Sequence, residues 1–301
     1  MPYKQCPACL GEPQKKHKFI RSQVFRICSR CGTLWIPDGP GFNGYDASYI
    51  KKRGHDDTSP VINSAKKLTF EKFWGKVGKI SGSILEVGCS TGISLRVAQD
   101  MGLDIYGLDV NEDILEYVQQ NGVSKDRVSV NGLEAFSGKK FKVVAFFDSF
   151  EHLPDPQLFL SELMSYLSDG AILLFVIPNG GAISRKLLGA YWPHYGLDHW
   201  IHYTFKGLDI LLNRYNIKIN NTFYPSKYVP IEMILRHVAT RWKFSQNQKK
   251  LYRGLSSVRL YFNFGEKGLV CVYNANINHH MSQKRDNIRG GPVCLNRYSS
   301  F

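Results

Sequence analysis

Four cysteines near the start of the chain have the residue type and spacing of metal ligands. They form two C-x2-C pairs, Cys6 with Cys9 and Cys28 with Cys31, and 18 residues separate the pairs. Zinc prefers four soft ligands in a tetrahedron, and this spacing is typical of a zinc ribbon. We therefore predict a small ribbon over residues 1–40 with one structural ion, because four thiolates leave no open position for chemistry. Without an ion, these residues would be two pairs of buried thiols.

A second group of residues surrounds a tight turn. Residues 84–87, ILEV, have the composition of a short buried strand, and a helix is predicted from Ile93 to Met101. Gly88 and Gly92 bracket the turn, where glycine lets a ligand approach the backbone and the helix N-terminus offers free N–H groups. The glycines stand four apart, with Ser90 between them, so the turn departs from the G-x-G-x-x-G pattern of dinucleotide folds.

The order Glu86-x-Gly88-x-Ser90-x-Gly92 resembles the first motif of class I S-adenosylmethionine-dependent methyltransferases, with Ser90 replacing the middle glycine. The likeness extends over roughly residues 60–276 and implies that this turn holds the methionine part of the cofactor. With the ribbon, residues 35–37 and the tyrosine-rich connector, the chain also resembles a subgroup from bacterial surface-glycan and secondary-metabolite pathways.

Further cofactor contacts are predicted at the ends of later strands. Asp109 follows a second strand, and a carboxylate there can accept hydrogen bonds from both hydroxyls of a ribose. Asn111 is the expected cap of the next helix, which should end near Asn121. The resemblance implies that Asn131 and Leu133 lie along the adenine ring. It also implies that Phe147 and Asp148, at the end of the fourth strand, contact the cofactor.

The segment after the fourth strand bears on the acceptor. It lacks the Asn/Asp-Pro-Pro-Tyr/Phe motif of enzymes that methylate amines of nucleic-acid bases, which disfavours such an amine. Glu151-His152 instead resembles hydroxyl methyltransferases, where a histidine can remove the proton of the hydroxyl. His152 could equally be a loop or helix-capping histidine. Asp148, Glu151 and His152 could also hold a divalent ion, as in some related quinone methyltransferases.

A segment dense in histidines and aromatic residues, 191–204, follows the fifth strand on the side where α/β sheets bind ligands. His194, His199 and His202 are candidate bases, and we favour His199 or His202. The segment is expected to be a lid with substrate contact, and the alternative is an ordinary packed lid.

Strand-like and helix-like segments alternate from 61 to 276, which is typical of an α/β fold. We predict a doubly wound, mostly parallel sheet of seven strands. The expected organisation is a zinc ribbon over 1–40, a connector over 41–60, the methyltransferase domain over 61–276 and a basic flexible tail over 277–301. Helices are also expected near 230–243 and 249–262.

The net charge of +14 is carried by the flanks, because residues 60–205 hold 13 Lys/Arg against 16 Asp/Glu. Such flanks favour an anionic partner, and a solvated surface is the alternative. We predict O-methylation of a sugar, glycan or related small acceptor, which could be anionic or lipid-linked and met at a membrane surface. The alternative is an RNA-modifying methyltransferase whose basic ribbon holds nucleic acid. The N-terminus lacks an apolar signal core, so a cytoplasmic location is expected.

Overall fold

A computed structural model describes residues 3–15, 17–20, 23–38, 59–78, 80–195, 199–231, 233–235 and 258–275. The predicted tail at 277–301, most of the connector and most of the two helices predicted near 230–243 and 249–262 lie outside these ranges. Among the described residues, no helix combines the length and apolar character needed to cross a membrane.

The described residues form thirteen strands and six α-helices, each numbered in chain order. The helices are α1 Pro60–Trp74, α2 Ile93–Asp100, α3 Ile114–Gln120, α4 Pro156–Leu163, α5 Ile183–Leu188 and α6 Phe205–Asn213. The strands are β1 Lys18–Ile20, β2 Gln23–Ile27, β3 Leu34–Trp35, β4 Ile84–Val87, β5 Ile105–Leu108, β6 Val128–Ser129, β7 Phe141–Phe147, β8 Leu167–Pro178, β9 Ile201–His202, β10 Ile217–Phe223, β11 Lys227–Pro230, β12 Arg259–Phe262 and β13 Glu266–Tyr273.

The central sheet has seven strands in the order β10-β13-β8-β7-β4-β5-β6. Strands β4 to β8 run parallel, and β13 is antiparallel to both of its neighbours. This confirms the predicted doubly wound, mostly parallel fold. The strand order reverses between β4 and β7, so a ligand crevice is expected at the carboxyl ends of these two strands.

Buried aliphatic and aromatic side chains cover both faces of the sheet. On one face, the rings of Phe146 and Phe175 stack with their centroids 4.8 Å apart. On the other face, Trp74 of α1 donates a hydrogen bond to Ser94 Oγ at 3.0 Å, which fixes α1 against α2. These contacts hold the strand ends, and therefore the crevice, in place.

The N-terminal residues form a small sheet that includes part of the main domain. Its order is β1-β2-β3-β9, and β9 comes from the histidine-rich segment after β8. The pairs Leu34 with His202 and Trp35 with Ile201 join the two parts of the chain. The ribbon is therefore continuous, through backbone hydrogen bonds, with the segment that we predicted to be a lid.

Several predicted helix limits are confirmed, and two predictions are wrong. The helix expected from Ile93 is α2 Ile93–Asp100, and the one expected to end near Asn121 is α3, which ends at Gln120. Asp155 accepts a hydrogen bond from the Leu158 N–H at the start of α4, and Thr204 accepts one from the Gly207 N–H at the start of α6. Asn111 does not cap α3. Its side chain accepts a hydrogen bond from the Asp113 N–H at 2.7 Å, and the helix begins only at Ile114.

The helix predicted to reach residue 262 is also wrong at its end. Residues 259–262 are strand β12, which pairs with β11. Tyr261 of β12 lies opposite Tyr228, with ring centroids 4.7 Å apart. An aromatic cross-strand pair of this kind stabilises a β-ladder, and the spacing of apolar residues alone did not predict it.

Candidate active site

The turn between β4 and α2 requires glycine at two positions. Gly88 has φ of 78° and Gly92 has φ of 79°, both in the left-handed region. A Cβ on Gly88 would lie 2.5 Å from Ser149 Cβ, because the exits of β4 and β7 touch at this point. Ser149 Oγ also donates a hydrogen bond to the Val87 carbonyl at 2.6 Å. The first motif and the exit of β7 therefore form one compact surface at the reversal of strand order.

Ser90 and Asp109 join this turn to the end of β5. Ser90 also has a left-handed φ, 48°, and its N–H donates to Asp109 Oδ2 at 2.8 Å. The other oxygen of Asp109 accepts from the Val110 N–H at 2.8 Å. Burial raises the pKa of this carboxyl. Oδ1 also accepts from the Asn111 N–H at 3.3 Å, and Oδ2 retains a lone pair with which Asp109 can accept a hydrogen bond from a ligand.

Glu86 is a buried carboxyl beneath the turn. Only 2% of it is exposed, and its Oε2 has no hydrogen-bond partner among the described residues. Burial raises the pKa of Glu86 to about 8, with a smaller contribution from the charge of Asp109. A buried carboxyl without a partner is costly unless a ligand satisfies it, and a cation would do so best.

The other predicted cofactor contacts have different environments. Asn131 is exposed beside the end of β6, and Leu133 is buried at the start of a 3-10 turn over residues 133–136. The ring of Phe147 packs against Phe73 and Trp74, with centroids 5.4 and 5.0 Å away. Phe147 therefore contributes its side chain to the core beneath α1.

Asp148 follows Phe147 with a left-handed φ of 50°, which is unusual for a residue with a side chain and is typical of functional sites. Its Oδ2 lies 2.5 Å from Lys227 Nζ, and the same ammonium lies 3.1 Å from Glu266 Oε1. Burial opposes the charge on Lys227, but the two carboxylates outweigh it and raise the pKa of this lysine. Asp148 is therefore held in an ion pair.

Sequence reasoning missed Lys227 and Glu266. Glu266 begins β13 and lies 3.4 Å from His194 Nε2, and Lys227 begins β11. Burial would raise the pKa of Glu266, but Lys227 and His194 lower it well below its usual range. Neither residue belongs to a local motif, and only the pairing of distant strands brings them to Asp148.

Two of the predicted histidines meet beside the exit of β7. The rings of His152 and His199 lie edge to face with centroids 4.7 Å apart. The fully buried Glu151 has Oε1 3.9 Å from His152 Nε2. Ligand atoms of Glu151, His152 and His199 all lie within 4.8 Å of one another. Burial lowers the pKa of His199 well below its usual range, so this ring is neutral at neutral pH.

His202 has a different environment from these two histidines. It is fully buried, and its ring packs against Phe25, Trp192 and Tyr195. Its Nε2 lies 3.0 Å from the His194 carbonyl, and burial lowers its pKa to about 3. His202 is thus part of the packing between the ribbon and the lid, and its ring also lies beside His199, with centroids 5.9 Å apart.

The four ribbon cysteines converge as their spacing predicted. All four are buried, with Cys6 Sγ 3.6 Å from Cys31 Sγ and Cys9 Sγ 3.3 Å from Cys28 Sγ. The four sulfurs all lie within 4.8 Å of one another, which fits four ligands around one tetrahedral ion. Cys89 and Cys271 are also buried, but they do not belong to this group of four sulfurs.

Comparison with known proteins gives the family. A family model described as "Methyltransferase domain" matches residues 62–219. A ubiquinone biosynthesis O-methyltransferase of Rhizobium johnstonii is 23% identical over 54% of this chain and 66% of its own length. One of Actinobacillus pleuropneumoniae is 27% identical over 33% of this chain and 46% of its own length. The chain thus spans about half to two thirds of the length of these curated relatives.

Solved structures with a similar arrangement include the plantazolicin methyltransferase BpumL in complex with SAH, at 17% identity. The match covers 76% of this chain and 91% of that one, with a TM-score of 0.47. Another is a phosphoethanolamine N-methyltransferase of Haemonchus contortus in complex with S-adenosyl-L-methionine, at 15% identity. It matches over 76% of this chain and 58% of that one, with a TM-score of 0.49. Because the family model matches more than half of the 301 residues, the chain belongs to the methyltransferase-domain family.

Proposed function

We propose that this protein is an S-adenosylmethionine-dependent O-methyltransferase whose acceptor is a hydroxyl of a sugar, glycan or related small molecule. The observation that carries the proposal is that a pair of histidines, His152 and His199, lies beside the exit of β7. That exit also carries Asp148 and touches the glycine turn of the first motif. Cofactor-binding groups and a candidate base are therefore adjacent.

The residues of the first motif fit the cofactor. Gly88 and Gly92 allow the left-handed turn to close against Ser149 and Val118, the Asp109 carboxyl faces this turn as a ribose acceptor, and the unpartnered Glu86 oxygen suits a cation. In this proposal Asn131 and Leu133 border the adenine ring beside β6, and Ser90 and Asp148 also contact the cofactor. When bound, the cofactor supplies a sulfonium methyl group that is open to attack.

His152 is the best candidate base. An alcohol does not lose its proton unaided at neutral pH, and a positioned histidine contributes about 10²–10⁴-fold to such a step. The buried Glu151 carboxyl, with Oε1 3.9 Å from His152 Nε2, lies close enough to favour a positive charge on the His152 ring, although it is beyond hydrogen-bond distance. The neutral His199 lies against this ring and can orient the acceptor hydroxyl. His202, in the packed interface, has a structural role.

A divalent cation is a second candidate for activating the hydroxyl. Glu151, His152 and His199 present three ligand atoms within 4.8 Å, and Asp148 is tied to Lys227 instead. A cation at these residues would lower the pKa of a bound hydroxyl without a free base. The two mechanisms differ in what restores the activity of a histidine variant.

The four ribbon cysteines are proposed to hold one structural zinc ion. The support is the mutual approach of four buried sulfurs around one point. Elemental analysis of protein purified without chelator should find one zinc per chain, and Cys28→Ser should lose it. Zinc-free protein that is otherwise folded, or full zinc in Cys28→Ser, would contradict the assignment.

The proposed activity is tested by transfer of radiolabelled methyl groups to a set of hydroxyl acceptors, such as 3,4-dihydroxybenzoate and UDP-N-acetylglucosamine. We expect a base-stable ether on at least one of them. His152→Ala should lower turnover by about 10²–10⁴-fold with unchanged cofactor affinity, and added imidazole should restore part of it. His17→Ala, which alters an exposed ribbon histidine, is the matched control.

The outcomes separate the mechanisms. Full activity of both His152→Ala and His199→Ala would contradict the mechanism in which a histidine acts as the base. The cation mechanism is supported by two results together: imidazole does not restore the activity of His152→Ala, and added Mg²⁺ or Mn²⁺ changes the activity of the wild type. Methyl groups found on nitrogen or carbon contradict the hydroxyl acceptor.

A further inference from the structure

The first cysteine pair of the ribbon is attached to the segment that follows His152. Gln157 Nε2, in the first turn of α4, donates a hydrogen bond to the Pro7 carbonyl at 3.0 Å. Pro7 lies between Cys6 and Cys9. Tyr3, just before this pair, donates its hydroxyl hydrogen bond to the Pro154 carbonyl. Residues that closely follow His152 are therefore hydrogen-bonded to residues around the first cysteine pair.

The second cysteine pair is attached to the segment that follows His199. Thr204 Oγ1 donates a hydrogen bond to the Cys31 carbonyl at 2.7 Å and also caps α6. Gly207 lies so close to the ribbon that a Cβ there would be 2.2 Å from Thr33 Oγ1 and 3.3 Å from Cys31 Sγ. The Ile36 N–H donates to the Trp200 carbonyl at 3.0 Å, next to His199.

The close sulfur contacts each join one cysteine pair to the other. Cys6 of the first pair approaches Cys31 of the second, and Cys9 of the first approaches Cys28 of the second. An ion bound to all four sulfurs would therefore join the two halves of the ribbon at the cysteines, in addition to hydrogen bonds such as that from Trp35 Nε1 to the Tyr3 carbonyl at 3.0 Å. Each half holds one of the two segments that bring His152 and His199 together.

We propose that the zinc ion acts as a clamp for the acceptor half of the active site, fixing the spacing of residues 150–157 and 199–207 and so the His152–His199 contact. This inference rests on the proposed zinc site, and it makes metal content a determinant of acceptor-site geometry. Ion binding supplies folding free energy to whatever it ties together. Loss of the ion should therefore loosen these two segments first.

The cofactor half of the site, which consists of the turns at the ends of β4 and β5, is held by hydrogen bonds that do not involve the ribbon. The Gly88 N–H donates to the Leu108 carbonyl at 2.7 Å, and the Ser90 N–H donates to Asp109. These hydrogen bonds join β4 and β5 to each other, and the ribbon contacts described above go to other segments. Cofactor affinity should therefore survive removal of the ion.

The test is hydrogen exchange, read by mass spectrometry, of the full-length protein before and after zinc is removed with a chelator. Amides of residues 150–158 and 199–213 should exchange at least about tenfold faster without zinc, while residues 84–109 keep their rates. Calorimetry should show unchanged affinity for S-adenosylmethionine, and added zinc should restore slow exchange. The clamp is overturned if the two segments keep their rates without zinc, or if all segments accelerate together.

A pair of glycine variants tests the contact without replacing a metal ligand. Gly207→Ala places a methyl group against Thr33 and should accelerate exchange over 150–158 and 199–213 while zinc content stays at one per chain. Gly75→Ala is the matched control, because a Cβ there meets nothing within 4 Å. Unchanged exchange in Gly207→Ala, or equal effects in both variants, contradicts the clamp.

The clamp and the proposed base fail in distinguishable ways. If His152→Ala and His199→Ala turn over normally while zinc removal loosens the two segments, the base is wrong and the clamp stands. If purified protein holds no zinc, the clamp is wrong whatever the histidine variants show.

Discussion

The cofactor half and the acceptor half of the site are held together over very different distances along the chain. The cofactor half uses turns at the ends of β4 and β5, where Ser90 contacts Asp109 only 19 residues away. In the acceptor half, Thr204 contacts Cys31 across 173 residues, and Gln157 contacts Pro7 across 150. The first half can therefore be inferred from local motifs, whereas the second depends on how distant parts of the chain pack.

The largest effect is expected in the cofactor half. Asp109→Ala removes two acceptor oxygens and the anchor of the Ser90 N–H. Hydrogen bonds to a charged group contribute about 1.5–3 kcal/mol each, so cofactor affinity should fall by about 10²-fold or more. Titration calorimetry with S-adenosylmethionine measures the change.

Asp113→Ala is the control for this variant, because Asp113 is exposed on the same connection and its side chain caps nothing. It should bind the cofactor like the wild type. Equal affinities of Asp109→Ala and the wild type would contradict the assignment of Asp109 to the ribose. They would also contradict the inference of the cofactor half from local motifs.

The sequence predicted this half well because its signals are short-range. Gly88 and Gly92 were expected in a tight turn, and both have left-handed φ values. The helix after this turn was expected to begin at Ile93, and α2 begins there. Periodicity and capping residues act within a few positions, so one sequence suffices to place them.

The acceptor half was predicted only as a set of unassembled candidates. His199 and His202 had equal standing in the sequence, but the pairing of β3 with β9 buries His202. Lys227 and Glu266 carry no local motif at all. Because β-pairing and ion pairs between distant segments depend on the whole fold, the pattern of residues could not rank the histidines.

The second prediction concerns Glu86 and pH. The pKa of Glu86 is raised to about 8, so this carboxyl is protonated at pH 7 in the free protein and must ionise to pair with a cationic cofactor. Affinity for S-adenosylmethionine should therefore rise up to about tenfold per pH unit as pH approaches 8. Calorimetry in buffers of different ionisation enthalpy should show proton release.

Glu86→Gln removes the titrating group and should flatten this dependence. The sign for stability is opposite to that for binding. Because the folded-state pKa of Glu86 is raised, its favourable contribution is complete below pH 4.5 and is lost as pH rises through about 8. A pH dependence that persists unchanged in Glu86→Gln would contradict the role of this residue.

The third prediction separates His202 from His152. His202→Leu leaves the His194 carbonyl without its hydrogen bond, which costs about 1–3 kcal/mol of stability. Turnover per folded molecule should stay near the wild-type value, unlike that of His152→Ala. Thermal unfolding and steady-state kinetics measure the two effects, with His17→Leu as an exposed control. A fall in turnover as large as that of His152→Ala would place His202 in the catalytic machinery.

The smallest effect is expected on the outer surface of the ribbon, where Lys15 and Arg30 are exposed. If the ribbon is a clamp, the double variant Lys15→Glu, Arg30→Glu should retain zinc and methylate a small hydroxyl acceptor at the wild-type rate.

If the ribbon instead holds RNA, each lost phosphate contact should lower the slope of log affinity against log salt by about 0.7–0.9. Fluorescence anisotropy with a short single-stranded RNA over a range of salt measures this slope. Lys125→Glu, Lys140→Glu, which reverses two exposed charges on the methyltransferase domain, controls for net charge. The nucleic-acid function would be favoured if the wild type has a steep slope that only the ribbon variant reduces, and if that variant also turns over RNA more slowly. The reason is that a ribbon with a purely structural role does not depend on the charges of its exposed side chains.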